Sequence, residues 1–412
     1  MSAYTEVYKK LVQKGLVDEA YPVDGLCVQL PNGWYGIHAI IDSYANQLKE
    51  IGYYEEMVPS VATNQIYSKV PENLQGNVIE NVFKITHTGL HKLDDPYFMA
   101  NRPDLILPQI EMNNARSYRN LPILRIAGGF RYNNLTATNK YALITDIEQP
   151  AKDVVGIVFS EQEYLAEVKR DLDILYKIIR EDCKLSTFSV RRHHSISVFA
   201  IFPNGQVLVI ATIRLYYQAL AEALDFKVLG PDGKFAFPHI FNINIGSRAF
   251  AATVVAHSTA DRVVLPKALM RAHGVAYNFP VDLKTVRVDL VNKDFTQERF
   301  NRQLEQGLVF ALVKADNGVK VITESGETVV SEAELEQKLN EILDAREKKI
   351  EEQANAAYEK LFAENISYVD SEDAKIEEGK VILGLVMKEQ DNIAVPEEKK
   401  YAVAVPLVEL HH

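Results

Sequence analysis

At 412 residues the chain is long enough for two or three domains and a substantial buried core. Hydrophobic residues at 47% and charged residues at 25% are ordinary for a soluble globular protein, and no apolar run is long enough to span a bilayer. The net charge of −11, from 45 basic and 56 acidic residues, argues against a protein whose binding rests on phosphate neutralisation, although Arg191-Arg192-His193-His194 forms a compact basic cluster.

Cys27 and Cys183 are the only cysteines. They lie too far apart for a metal-ligand spacing or a disulfide framework, which points to a reducing, cytoplasmic setting. No basic-then-apolar leader follows Met1, and His411-His412 reads as a tag remnant.

Taken in order, residues 1–20 form a polar-faced helix, with Tyr8, Leu11, Val12 and Leu16 at helical spacing. Residues 21–32 read as extended, punctuated by Gly25 and Pro31. Ile40, Ile41, Tyr44, Leu48 and Ile51 mark an amphipathic helix over 37–51 that Gly52 ends, and 53–59 is a strand stopped by Pro59. Short strands are expected at 82–86 and 96–100 around a turn at 92–96.

A mostly apolar run at 121–126 leads into Gly128-Gly129-Phe130-Arg131, a polar loop at 133–140 and a second apolar run at 141–144. That reads as a hairpin with one arginine at the end of its first strand. Its guanidinium fork suits a phosphate, and it equally suits an ordinary ion pair. Residues 161–179 form an amphipathic helix whose apolar face is Tyr164, Leu165, Val168, Leu172, Leu175, Ile178 and Ile179.

Residues 206–212 are a buried strand entered through Pro203-Asn204-Gly205. Pro231-Asp232-Gly233 marks a hairpin. Residues 240–248 form a strand broken at Gly246, and 251–256 is an apolar helical segment. Residues 285–330 alternate short strands with turns. Ser331 and Glu334 form a capping box for a long helix lined by Leu335, Leu339, Ile342, Leu343 and Ile350. The tail, 366–410, is a small acidic α+β piece.

Residues 23–59, 82–104, 116–133 and 203–266 together resemble the class II prolyl-tRNA synthetases of the archaeal and eukaryotic type. Arg-Ser-Tyr-Arg-Asn-Leu-Pro at 116–122 is similar to the lead-in to the family's second motif, and Phe130-Arg131-Tyr132 to the motif itself. Helix 37–51 with its strand resembles the first motif, which in the family forms a dimer interface. Ile245-Gly246-Ser247-Arg248 and Val263-Val264-Leu265-Pro266 resemble the third. The resemblance implies an α+β fold, an antiparallel sheet flanked by helices with a smaller C-terminal α+β domain. It also implies bent ATP, its α-phosphate on Arg131 and its γ-phosphate on Arg248, the pair that would carry catalysis. Asn133, Asp146, Glu148 and Gln149 are the neighbouring candidates for nucleotide or magnesium contacts.

The departures from the family are specific. Its Arg-x-Glu becomes Arg131-Tyr132-Asn133, and the 141–144 run lacks the arginine and adenine-stacking phenylalanine of the second strand. After Arg102-Pro103 the family has Thr-x-Glu, whose carboxylate helps hold the proline amino group. Here Asp104-Leu105-Ile106 follows, with Asp104 two residues early. Arg214-Leu215-Tyr216-Tyr217 stands where the family has a His-rich segment, Tyr217 replaces a glycine beside the amino-acid pocket, and Asn244 replaces another glycine. Losing a buried partner for the substrate ammonium costs roughly 2–5 kcal/mol.

The resemblance divides the chain into a catalytic core at 1–275, a short connecting α/β segment at 276–330 and a C-terminal domain at 331–412. The connection stands where the family inserts an anticodon-binding domain of about 100 residues, which disfavours tRNA as a partner. The family's C-terminal domain often carries zinc-binding cysteines; none is present here, so no cysteine-ligated zinc is expected. Three readings stay open. One is a dimeric paralogue that binds ATP or another small phosphorylated ligand without charging tRNA with proline. Another is an active adenylate-forming ligase for proline or another small acid. The third is a non-catalytic structural or regulatory dimer, favoured if Tyr216 and Tyr217 pack inward.

Overall fold

The computed structural model describes residues 3–23, 25–71, 74, 83–99, 102–132, 142–145, 147–387 and 400–407. Its centre is a ten-stranded sheet. From one edge the strands run Tyr54–Met57, Ile123–Tyr132, Glu148–Val158, His239–Gly246, Val207–Tyr217, Ser195–Ile201, Phe188–Arg192, Val381–Met387, Tyr401–Ala404 and Ser367–Val369. The edge strand Tyr54–Met57 pairs parallel with its neighbour, and every other pairing is antiparallel. This is the α+β fold expected, with the central antiparallel sheet flanked by helices.

Period-two alternation gives the sheet two faces. One buries Leu124, Ile126, Val154, Phe241, Ile243 and Ile245 against the helices Pro31–Glu50, Glu161–Glu181 and Ser247–His257. The other carries Ile123, Ala127, Val155, Ile157 and Ile240 against the shorter helices Pro103–Glu111 and Ala219–Ala223. Candidate functional residues fall on this second, less completely covered face.

Helix Glu161–Glu181 starts at a reciprocal capping box. Glu163 N donates to Ser160 Oγ at 3.2 Å, and Ser160 N donates to Glu163 Oε2 at 3.0 Å. Its buried stripe holds Tyr164, Val168, Leu172, Leu175, Ile178 and Ile179 as expected. Each such side chain contributes about 1.5–3 kcal/mol on burial. Leu165, read as part of that stripe, is 39% exposed, and Asp171 occupies a buried position instead.

The helix expected at 37–51 begins at Pro31, which supplies a preset φ at the first turn, where its missing N–H is no loss. Gly33 lets that turn rest on the Leu16 carbonyl, where an added Cβ would lie 2.1 Å from the oxygen. The turn expected at 92–96 lies instead at Gly89-Leu90, between strands Lys84–Thr88 and His91–Met99. Gly89 has φ +62°, a conformation that favours glycine.

The largest correction concerns the hairpin after Arg131. Residues 142–145 form a turn, with Leu143 at φ +63°, and the strand that pairs with Ile123–Tyr132 is Glu148–Val158. The apolar run at 141–144 was therefore misread: an irregular segment packs its side chains into the core. Residues 285–330, read as strands and turns, also contain the helix Gln297–Glu305, capped by Thr296.

That segment forms a five-stranded sheet from Gly274–Tyr277, Val288–Val291, Phe310–Ala315, Gly318–Thr323 and Gly326–Val330, with both parallel and antiparallel pairs. The long helix Leu335–Asn365 joins the two sheets. Leu335, Leu339 and Leu343 pack on the small sheet, and Tyr358, Leu361 and Phe362 pack beside Phe188 and Leu383 of the large one. Ser331 Oγ donates to Glu334 Oε2 at 2.6 Å, but the helix starts only at Leu335, so the reciprocal capping box is not made. After that helix the described residues form strands that extend the central sheet.

Candidate functional site

Arg131 sits near the end of its strand, opposite Gln149. Its Nε donates to Asp153 Oδ2 at 2.7 Å, and a second guanidinium nitrogen donates to Asp153 Oδ1. This is a two-point fork on a carboxylate that is 1% exposed. Burial and the neighbouring Arg214 push the Arg131 guanidinium down to about 9, which leaves it charged at neutral pH.

The network continues across the sheet through a fixed amide. Asn242 Nδ2 donates to Asp153 Oδ1 at 3.1 Å and to the Val154 carbonyl at 2.9 Å. Its Oδ1 accepts from Arg214 at 2.9 Å. Burial, then the like charge of Arg102, lowers the Arg214 guanidinium from its ordinary value.

A second cluster closes the far side. Arg102 precedes helix Pro103–Glu111, and Asp104 lies in its first turn, where the helix dipole favours an anion. Arg102 Nε donates to Asp104 Oδ1 at 2.8 Å and its terminal nitrogen to Oδ2 at 2.7 Å. That same nitrogen donates to the Tyr216 hydroxyl, which in turn donates to Asp104 Oδ2, both at 2.5 Å. Burial by itself would raise the Asp104 carboxyl. The Arg102 guanidinium outweighs it and holds the group well below the usual carboxylate range. Burial raises the Tyr216 phenol, which stays neutral.

Arg248 stands in the first turn of helix Ser247–His257 and donates Nε to the Ile144 carbonyl at 2.7 Å. Ser247 Oγ donates to the Leu143 carbonyl at 3.1 Å. Together they pin the 142–145 turn beside the helix. An open cleft of about 300 Å³ lies over the other end of the site, lined by Pro59, Pro103, Gly128, Gly129, Arg131 and Asp153 among others.

The structure thus brings Arg102, Asp104, Arg131 and Arg214 together, with Arg248 near enough to act electrostatically on Arg131. Asn244 lies on the strand beside Asp153, and Gln149 lies opposite Arg131. Two of their side-chain donors, Asn244 Nδ2 and Gln149 Nε2, are buried without a partner. Glu148 instead accepts from the Tyr132 hydroxyl at 2.8 Å, on the opposite side of the pleat from Arg131.

Tyr217 is a correction. A bulge in strand Val207–Tyr217 and a φ of +49° turn it to the helical face, its ring 4.7 Å from that of Tyr164. Tyr216 is the aromatic that enters the site. Asn133 and Asp146 lie outside the described residues.

Asp153 and Asn242 were missed as site residues. The signal for Asp153 was a lone carboxylate beside Lys152 in the mostly apolar run 150–159, visible once that run is read as the hairpin's second strand. Among the described residues no group of three His, Cys, Asp or Glu could hold a metal ion, and Cys27 and Cys183 form no disulfide. No described helix is long and apolar enough to cross a membrane.

No family model matches the chain. A proline--tRNA ligase of Saccharolobus islandicus (strain M.14.25 / Kamchatka #1) is 24% identical over 295 residues, 69% of this chain and 59% of the relative. One from Nanoarchaeum equitans is 28% identical over 237 residues, 54% of this chain and 43% of the relative. The chain therefore spans less than two thirds of the length of these curated relatives. Among solved structures, Giardia lamblia prolyl-tRNA synthetase in complex with prolyl-adenylate superposes with a TM-score of 0.82 at 15% identity, covering 98% of this chain and 97% of that one. The Cryptosporidium parvum enzyme complexed with halofuginone and AMPPNP gives 0.81 at 14% identity, covering 97% and 96%. In sequence the chain is similar to these archaeal proline--tRNA ligases, and it shares the fold of the class II prolyl-tRNA synthetases.

Proposed function

We propose that this protein binds a nucleotide through Arg131 and Arg248 on a class II core and does not charge tRNA with proline. One observation carries the reading. Asp104 and Asp153, the carboxylates bound to the site's arginines, are each held by a guanidinium group. Neither is left to hold the ammonium of a proline. An uncompensated ammonium among guanidinium groups is costly to bury.

The site's residues suit a phosphate. Arg131 keeps a partly exposed side chain, 16% accessible, beside the cleft, and Gln149 and Asn244 add buried donors that lack partners. The structural relatives support the nucleotide, since they are complexes with prolyl-adenylate and with AMPPNP. Bound there, ATP would supply an electrophilic phosphorus, and the arginines would bind and orient its negative charge.

The open cleft over Gly128 and Gly129 favours a second reading, an active ligase that adenylates a different acid. We further propose a homodimer through the edge strand Tyr54–Met57, where Tyr54 is 71% and Met57 84% exposed. The outer edge of a sheet is a ready template for a second copy.

ATP–pyrophosphate exchange over a panel of amino acids and other carboxylic acids tests these readings. The expected outcome is no exchange with proline, together with calorimetric ATP binding that Arg131→Ala abolishes. Exchange with proline would overturn the leading proposal, and exchange with another acid would establish the ligase. Silence in both assays would leave a non-catalytic dimer.

A further inference from the structure

Cationic side chains crowd the site. Arg131 feels the charges of Arg102, Arg214 and Arg248, and Asp104 and Asp153 are bound among these side chains. Arg102 is taken up by Asp104 and Arg131 by Asp153.

Arg214 hydrogen-bonds to no described carboxylate, although the charge of Asp104 acts on it. Among the described residues its hydrogen-bond partner is the neutral Asn242 Oδ1, at 2.9 Å, and no carboxylate lies within ion-pair distance. A mostly buried cation with a neutral partner is an unusual arrangement, because buried charges are ordinarily paired. Its immediate surroundings add donors. Asn244 lies two residues from Asn242 on the same strand and therefore on the same face, and its Nδ2 is buried without a partner. Gln149, on the face of Arg131, offers a second such donor.

We propose that this basin beside Arg214 binds a compact oxyanion without an ammonium group, a small carboxylate or a phosphate, and that Arg214 determines its specificity. The proposal rests on the nucleotide-binding reading above, because it fills the place an amino acid would take beside that nucleotide. A carboxylate or phosphate supplies acceptors to Arg214 and Asn244 and a counter-charge to Arg214. A zwitterion brings a cation that meets arginines and no free carboxylate. The same arrangement explains how the site tolerates Asp104 locked to Arg102: the ligand needs no carboxylate from the protein.

The test is isothermal titration calorimetry on the full chain with four probes: L-proline, cyclopentanecarboxylate, inorganic phosphate and ATP. Cyclopentanecarboxylate has the shape of proline with carbon in place of the ring nitrogen, so the pair isolates the ammonium. Cyclopentanecarboxylate, phosphate or both should bind at least tenfold tighter than proline, and Arg214→Gln should weaken that binding at least tenfold. Which of the two anions wins identifies the source chemistry.

Proline binding as tightly as both anions overturns the inference, as does anion binding unchanged in a folded Arg214→Gln protein. ATP binding without any anion binding overturns it while leaving the nucleotide reading intact. Anion binding that depends on Arg214, without ATP binding, does the reverse. If Arg214→Gln does not fold, the proline and cyclopentanecarboxylate comparison on the unaltered protein decides the matter.

Discussion

The Tyr216 hydroxyl donates to Asp104 Oδ2 at 2.5 Å, joining residues 112 apart in sequence, and the same hydroxyl accepts from Arg102 at 2.5 Å. This triangle ties the start of helix Pro103–Glu111 to strand Val207–Tyr217. It also consumes the carboxylate that stands two residues before the family's glutamate.

Breaking the triangle should cost more when a charge is stranded than when a hydroxyl is lost. Asp104→Asn leaves Arg102 buried without its counter-ion and should destabilise the protein by about 3–5 kcal/mol. Tyr216→Phe removes one polar partner and should cost about 1–3 kcal/mol. Urea denaturation of both variants checks the order, and equal costs would contradict the ion-pair account.

Asp153 competes with any phosphate for Arg131. Asp153→Asn keeps the shape and removes the charge, so ATP should bind at least threefold tighter than to the unaltered protein. Arg131→Ala should weaken it at least tenfold, about 1.4 kcal/mol. Calorimetry with ATP reads both directions. A weaker interaction in Asp153→Asn would assign that carboxylate a supporting role instead.

Asp171 gives a pH dependence of definite sign. Burial raises its carboxyl to about 8, against the opposing hydrogen bond from Tyr53, and its Oδ1 is buried without a partner. The unfolded group titrates near 4, so between about pH 4 and 8 the folded state holds a proton that the unfolded state has lost. Its contribution to stability is therefore full below about pH 4 and is lost as pH rises through about 8. The slope should reach roughly 1.4 kcal/mol per pH unit. Thermal melting from pH 5 to 8 should fall more steeply for the unaltered protein than for Asp171→Asn.

Gly33 is a packing position. A Cβ there would lie 2.1 Å from the Leu16 carbonyl oxygen, a backbone atom that also accepts from Leu30 N at 3.0 Å. Gly33→Ala should cost about 1–3 kcal/mol despite the better helix propensity of alanine. Chemical denaturation midpoints measure it.

The proposed dimer makes a prediction at the sheet edge. Met57→Lys, at a position 84% exposed, should leave the monomer folded and shift the species seen by light scattering from dimer to monomer. A monomeric unaltered protein would remove this proposal.

What the sequence by itself determined were features set by local chemistry. The helix at 161–181 was legible from its 3.6-residue spacing and capping box, and the resemblance to class II synthetases from short motifs around Arg131 and Arg248. The sequence also established that a glutamate is missing after Arg131. Only the tertiary structure decided who pairs with whom. The strand facing Arg131 begins at Glu148, after an irregular segment whose apolar residues mimic a strand, so the register that delivers Asp153 could not be read along the chain. Tyr216 shares the face of Arg214 and Tyr217 that of Leu215, as strand alternation dictates once the strand is known to run through Tyr217. Whether an arginine holds a ligand or a neighbouring carboxylate depends on distances between strands, and those are set by the whole sheet.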